Sequence, residues 1–288
     1  MWSELRQSRH FRRFLFIWLG LSVIATPLVA ILLTPDLPPG LAADDAQGQR
    51  VDNEVLTAVA TPIVLLVLVF LAYVLVVFRE SGPVPAEGPL EGPRVFGHAG
   101  AQTAWIVAST LIVIALFVFG TWRLLEAGAA GGGQGPTPLS PLHAVDGKSV
   151  LPVQVIGQQW QFTYRYPTYD GLETPQLVLP VDRPVELHVT SLDVIHSFWA
   201  YELGVKADAN PGVDNVAYVT PRRVGTFDVR CAELCGIWHG FMFDTGRVVD
   251  KQVFAAWIGE QQRFFEPVRR HLPPYSETYL PDPQGRAG

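Results

Sequence analysis

Three stretches of the chain run without a charge: residues 14–33 (FLFIWLGLSVIATPLVAILL), 56–78 and 103–122. Each can span a bilayer as a helix, which takes about 20 apolar residues. Pro27 and Pro62 fall inside the first two. They are tolerable there, because neighbouring helices and local distortion satisfy the freed backbone groups. From residue 151 onward the pattern shortens to LPVQVIG, QWQFTYRY, PQLVLP, PVELHVT, VAYVT, GTFDVR and RVV, with turn residues between the runs. Short runs rich in β-branched and aromatic residues at such intervals predict a β-sandwich. In QWQFTYRY, Trp160, Phe162, Tyr164 and Tyr166 alternate with polar residues and share one strand face. Near the end, Val253, Phe254, Trp257 and Ile258 recur at helical spacing, which predicts an amphipathic helix lying on the sandwich.

The predicted fold is therefore membrane-anchored α plus all-β. A basic flank and first transmembrane helix occupy residues 1–34, and an acidic loop with a transmembrane hairpin (56–78 and 103–122) occupies 35–123. A Gly/Pro linker covers 124–148, where AGAAGGGQGPTPLSP cannot propagate helix or strand. The β domain takes 149–262 and a proline-rich tail 263–288.

Charge orients this arrangement. Arg6, Arg9, Arg12 and Arg13 precede the first apolar stretch, whereas Asp36, Asp44, Asp45, Asp52 and Glu54 follow it against a single Arg50. The N-terminus is expected inside and the β domain outside, in the periplasm or cell exterior. A cleaved leader is the alternative for the first stretch, given its basic start and the small residues Ala42 and Ala43 downstream. Its apolar run exceeds the roughly 7–15 residues of a leader core, which favours a retained helix. Cleavage would leave the β domain on the same side. A 49% hydrophobic content over 288 residues fits a chain partly in lipid, and a net charge of −6 argues against nucleic-acid binding.

The chain has two cysteines and no Cys-x-x-Cys-His signal for haem attachment. Both lie in CAELCGIWHGFM, where Cys231, Cys235, His239 and Met242 follow one another at spacings of four, four and three. Thiolate, imidazole and thioether together favour copper, and methionine argues against a closed zinc site. A mononuclear blue-copper centre uses one thiolate. Two thiolates can bridge two copper ions, which then need a second histidine, and His196 in SLDVIHSFW is the best candidate. A disulfide between the cysteines is the plain alternative in an oxidising compartment, but it leaves His239 and Met242 unexplained. His196 taken alone would more often be an ordinary histidine. His10, His98, His143, His188 and His271 have no ligand-spaced company.

DVIHSFW, GVKADANPG and CAELCGIWHGFM, in that order, resemble subunit II of the haem–copper oxidases that carry a CuA centre, over roughly residues 100–260. The resemblance implies a cupredoxin-like Greek-key sandwich. It implies two copper ions held by His196, Cys231, Cys235, His239 and Met242, with the backbone carbonyl of Glu233 as sixth ligand. The Glu233 carboxylate would also bind magnesium at the boundary with subunit I, and Trp160 in GQQWQFTYRY would receive electrons from cytochrome c. Asp193 and nearby acids would steer a basic cytochrome. The function so implied is electron transfer from cytochrome c (or an equivalent donor) to haem in subunit I, with subunits I and III as membrane partners. Oxygen reduction there would be coupled to proton pumping in the plasma membrane.

Three features depart from the family. Gln102 in QTAW stands where a glutamate is common at a proton-uptake path, and leaves no titrating group there. Phe162 stands where a second tryptophan is common, and three apolar stretches replace two. Two other functions compete. The copper subunit of a nitric oxide reductase would use a similar domain. A copper-delivery module should expose few, exchangeable ligands, unlike this closed set. Quinol oxidase subunits share the fold without the ligands.

Overall fold

Each apolar stretch is helical in the computed structural model, which describes residues 9–34, 40–79, 97, 99–127, 144–145 and 148–269. The helices are α1 (Arg9–Leu32), α2 (Asp44–Val77) and α3 (Ala99–Ala127), and all three are long and apolar enough to cross a membrane. The loop SGPVPAEGPLEGP with Arg94, residues 128–143 of the linker, the tail from 270 onward, and Arg6, His98, His143 and His271 lie outside the described residues.

The described chain divides into a helical unit, containing residues 9–31 and 56–126, and a second unit built on the sandwich, to which residues 32–55 belong. Within the helical unit α1 rests on α2. The Trp18 indole Nε1 donates to the carbonyl of Pro62 at 2.8 Å, His10 Nδ1 lies 3.0 Å from the Tyr73 hydroxyl, and the Phe14 ring meets Phe70 and Tyr73 edge-on. An indole N–H in hydrocarbon needs an acceptor within the protein, and a helix carbonyl supplies it. Most other large apolar side chains of the three helices face outward, as lipid permits.

α2 begins at Asp44, well before the apolar stretch at 56, so part of the expected acidic loop is helix. Its start is fastened to the sandwich unit. The Ala42 N–H donates to the Glu202 carbonyl at 2.9 Å, and the Arg222 N–H donates to the Ala42 carbonyl at 2.7 Å. The Arg222 guanidinium pairs with Asp44 at 2.7 Å and Asp182 at 3.1 Å, while Ala43 and Ala46 are buried.

The sandwich is made of β3 (Leu151–Gln158), β4 (Gln161–Tyr166), β5 (Leu172–Thr174), β6 (Val178–Pro180), β7 (Val185–Ser191), β8 (His196–Ala200), β9 (Val205–Ala209), β10 (Asn215–Val219), β11 (Gly225–Cys231) and β12 (Phe243–Val249). A short ribbon precedes it, β1 (Ala144–Val145) with β2 (Lys148–Ser149), across the end of the expected linker. One five-stranded sheet runs β10-β7-β3-β4-β5 and the other β6-β12-β11-β8-β9. Only the β3–β7 and β6–β12 pairs are parallel within the two sheets. The non-consecutive neighbours give the cupredoxin-like sandwich expected from the sequence.

Alternation places Leu151, Val153 and Val155 of β3 opposite Phe198, Phe227 and Val229 in one core. Phe162, Tyr164 and Tyr166 are buried there, and Phe162 meets Phe198 edge-on at 5.7 Å. Tyr166 keeps its hydroxyl satisfied by donating to the Val178 carbonyl and accepting from the Val178 N–H, both at 2.9 Å. The amphipathic helix forms as α4 (Lys251–Arg269), which continues past residue 262 and buries Phe254, Trp257 and Ile258.

Candidate metal centre

Three backbone features bring the site residues to one end of the sandwich. β11 ends at Cys231, which pairs with Phe198 of β8, so His196 at the start of β8 arrives beside Cys231 despite the sequence separation. The loop from 232 to 242 returns through a short 3₁₀ turn at His239–Phe241, and the Cys231 N–H closes it by donating to the Met242 carbonyl at 3.0 Å. The two-residue turn Gln159-Trp160 between β3 and β4 abuts this loop. Gly157 lets His196 in, because a Cβ there would lie 3.1 Å from the imidazole Cδ2.

The sulfurs of Cys231 and Cys235 stand 3.7 Å apart, and both cysteines are free. That separation is far beyond the roughly 2.05 Å of a disulfide bond. His196 Nδ1 lies 3.9 Å from the Cys231 sulfur, and the Glu233 carbonyl lies 3.2 Å from the same atom. On the other side, His239 Nδ1 is 3.5 Å and Met242 Sδ 3.7 Å from the Cys235 sulfur. Two sulfurs thus sit in the middle, each flanked by one imidazole and one weaker donor. His196, Cys231, Cys235 and Met242 are buried, while His239 is half-buried. The ligand atoms of His196, Cys231 and Cys235 all fall within 4.8 Å of one another.

Burial and the neighbouring Cys231 sulfur push the Cys235 thiol up to about 12. A thiol so raised holds its proton, whereas a soft metal displaces the proton and binds the thiolate. The donor set fits copper: two thiolates, two imidazoles, a thioether and a carbonyl.

Asp193, expected as a docking acid, also supports the site from behind. Its Oδ1 accepts from His196 Nε2 at 2.9 Å, and its Oδ2 accepts from the Gln159 N–H at 2.7 Å. A carboxylate can only accept, so the imidazole proton belongs on Nε2 and the Nδ1 lone pair is left facing Cys231. Burial raises the Asp193 carboxyl, but the bonds from Gln159, His196 and the Val194 N–H outweigh it and hold the group below its ordinary range. The i to i+3 spacing in DVIH is the only sequence trace of this pairing. Gln159 has no such trace. Its side-chain Nε2 donates to the Cys235 carbonyl at 2.9 Å, and the Trp160 indole donates to the same oxygen at 3.2 Å.

Trp160 is half-buried beside the core, in direct contact with the ligand loop. The Glu233 side chain is exposed. Around the site, Leu192, Ile195, Leu234, Ile237, Trp238, Phe241 and Phe243 form an exposed apolar rim.

Residues 172–249 match a family model described as the periplasmic domain of cytochrome c oxidase subunit II. The chain is 30% identical over 229 residues to a probable cytochrome c oxidase subunit 2 of Rickettsia conorii, covering 71% of this chain and 65% of that one. It is 29% identical over 256 residues to the cytochrome c oxidase subunit 2 of a Synechocystis species, covering 78% and 73%. Among solved structures, the periplasmic domain of subunit II of cytochrome oxidase from Bradyrhizobium japonicum is 33% identical, covering 40% of this chain and 95% of that domain at a TM-score of 0.39. The chain spans about 65% of the length of the Rickettsia relative.

Proposed function

We propose that this chain, which belongs to the cytochrome c oxidase subunit II family, is the electron-receiving subunit of a respiratory oxidase in the plasma membrane. The observation that carries the proposal is the paired-sulfur arrangement, in which each of two buried thiols is flanked by its own imidazole and its own weak donor. Such a set suits two copper ions better than one. When bound, the copper pair would store and release single electrons with little rearrangement of its ligands.

Cys231, Cys235, His196, His239, Met242 and the Glu233 carbonyl would hold the ions. The exposed Glu233 carboxylate would remain available to a magnesium ion at the boundary with a catalytic subunit. Trp160 would receive the electron from a cytochrome c or equivalent donor. Its indole N–H touches the Cys235 carbonyl, which gives a short through-bond route to the ligand loop. The apolar rim would provide the contact surface for the donor and for subunit I, where haem reduces oxygen and protons are pumped, with subunit III beside it. Three membrane crossings would place the sandwich on the side opposite the N-terminal arginines.

The test is copper loading of the full chain. Two coppers per chain with a delocalised mixed-valence paramagnetic signal are expected, and one copper with a blue-type spectrum would overturn the reading. In the assembled complex, oxygen consumption with reduced cytochrome c is expected, and nitric oxide consumption in its place would reassign the complex. Trp160→Phe should slow cytochrome c oxidation at unchanged copper content, and unaltered kinetics would remove Trp160 from the route.

A further inference from the structure

The two arms of the metal centre come from β8 and from the loop after its neighbour β11, and one residue outside the ligand set touches both. The Gln159 N–H donates to Asp193 Oδ2 at 2.7 Å, and Asp193 in turn holds His196 Nε2 at 2.9 Å. The Gln159 side chain donates from Nε2 to the Cys235 carbonyl at 2.9 Å, next to the Trp160 indole on the same oxygen. Gly236 makes this approach possible. It takes φ +121, and a Cβ there would come within 3.0 Å of Gln159 Nε2 and 3.3 Å of the Trp160 ring.

We propose that Gln159 is a positioning residue that yokes the His196 arm to the Cys231–Met242 loop and tunes the reduction potential of the centre through its amide N–H on the Cys235 carbonyl. The inference rests on the copper reading above. An N–H dipole pointing at the carbonyl of a ligand residue places partial positive charge beside the site. It therefore disfavours the more positive, oxidised state of the metal pair and favours the reduced one. Removing it should lower the potential. The backbone half of the yoke survives any side-chain change, so His196 stays held while the carbonyl loses one donor.

The substitution Gln159→Leu removes the donor at similar volume. Losing one neutral, partly solvated hydrogen bond is a change of about threefold in the reduction equilibrium. At 59 mV per tenfold for one electron, that is a fall of about 30 mV. The experiment is a redox titration of the copper-loaded full chain, with copper content and the mixed-valence signal measured on the same samples. A lower midpoint at wild-type copper content supports the proposal, and an unchanged midpoint overturns it. A purely structural role would reduce copper content without moving the midpoint of the loaded fraction, and that result also overturns it. Gln159→Asn, too short to reach the carbonyl but equally polar, should repeat the fall and guards against a loading defect in the leucine variant. If the wild-type chain itself shows no two-copper signal, the functional reading fails first. If it does and only the midpoint stays put, Gln159 alone is misassigned.

Discussion

At the metal end of the sandwich His196 gives Nε2 to a single carboxylate, Asp193, and keeps Nδ1 directed at Cys231. Where β7 meets β10, His188 instead has a carboxylate on each nitrogen, Asp214 on Nδ1 at 2.8 Å and Glu186 on Nε2 at 3.3 Å. One acceptor fixes a tautomer and leaves a lone pair for a metal. Two acceptors call for two protons, which turns the ring into a cation with nothing left to ligate. Burial alone would lower the His188 value, but the hydrogen bonds and charges of Asp214 and Glu186 overcome it and push the imidazole up to about 9. The number of facing carboxylates, more than burial, separates a ligand from an ion pair here.

The strongest way to break this contrast is at the sulfurs. Cys235→Ser removes the sulfur that faces His239, Met242 and Cys231 together. The expected outcome is loss of the two-copper centre, with metal analysis returning at most one copper per chain and no mixed-valence signal. Retention of two coppers would mean that the Cys235 sulfur is not needed to hold them. The second test removes the carboxylate behind His196. Asp193→Ala should weaken copper binding by about 10–100-fold, the usual effect of deleting a partner that orients a ligating histidine. Asp193→Asn, which still offers an acceptor oxygen, should recover part of that loss in a competitive chelator titration. Equal affinity for all three proteins would show that Asp193 does not position His196.

The two regions are unequally legible in the sequence. The loop from Cys231 to Met242 announces itself, because four soft or borderline donors within twelve residues point to a soft metal and to little else. His196 is reachable only through the resemblance, since its place beside Cys231 depends on the β8–β11 pairing. Asp193 is visible as an acid but not as the partner of His196. Gln159 is a plain turn residue until the β3–β4 hairpin is laid against the loop. The helices show the same divide. Uncharged runs give away all three apolar helices, but the helical start of α2 is hidden because residues 44–55 are mostly polar. Tertiary contacts hold that start in place: the Arg222 ion pairs, the burial of Ala46, and the Arg50–Glu54 pair one turn apart at 3.0 Å.

The His188 cluster offers the smallest effect and the cleanest sign. Its cross-strand neighbours, Gln154 on β3 and Val216 on β10, carry no charge, so Glu186 and Asp214 are the acids it answers to. The folded chain binds the His188 proton more tightly than the unfolded chain, whose histidine titrates near 6.5. Stabilisation is therefore complete below about pH 6.5 and is lost as pH rises through about 9. For a largely buried group it is on the order of 2–3 kcal/mol. His188→Gln keeps a hydrogen-bonding side chain but no charge. The variant should be less stable than wild type by about that amount at pH 6, with the gap closing above pH 9, in denaturant unfolding of the metal-free chain followed by tryptophan fluorescence. Groups that titrate elsewhere, the thiols included, cancel in the difference between the two proteins. A gap of constant size from pH 6 to 9.5 would show that His188 is not held as a cation, and the contrast with His196 would then come down to packing alone.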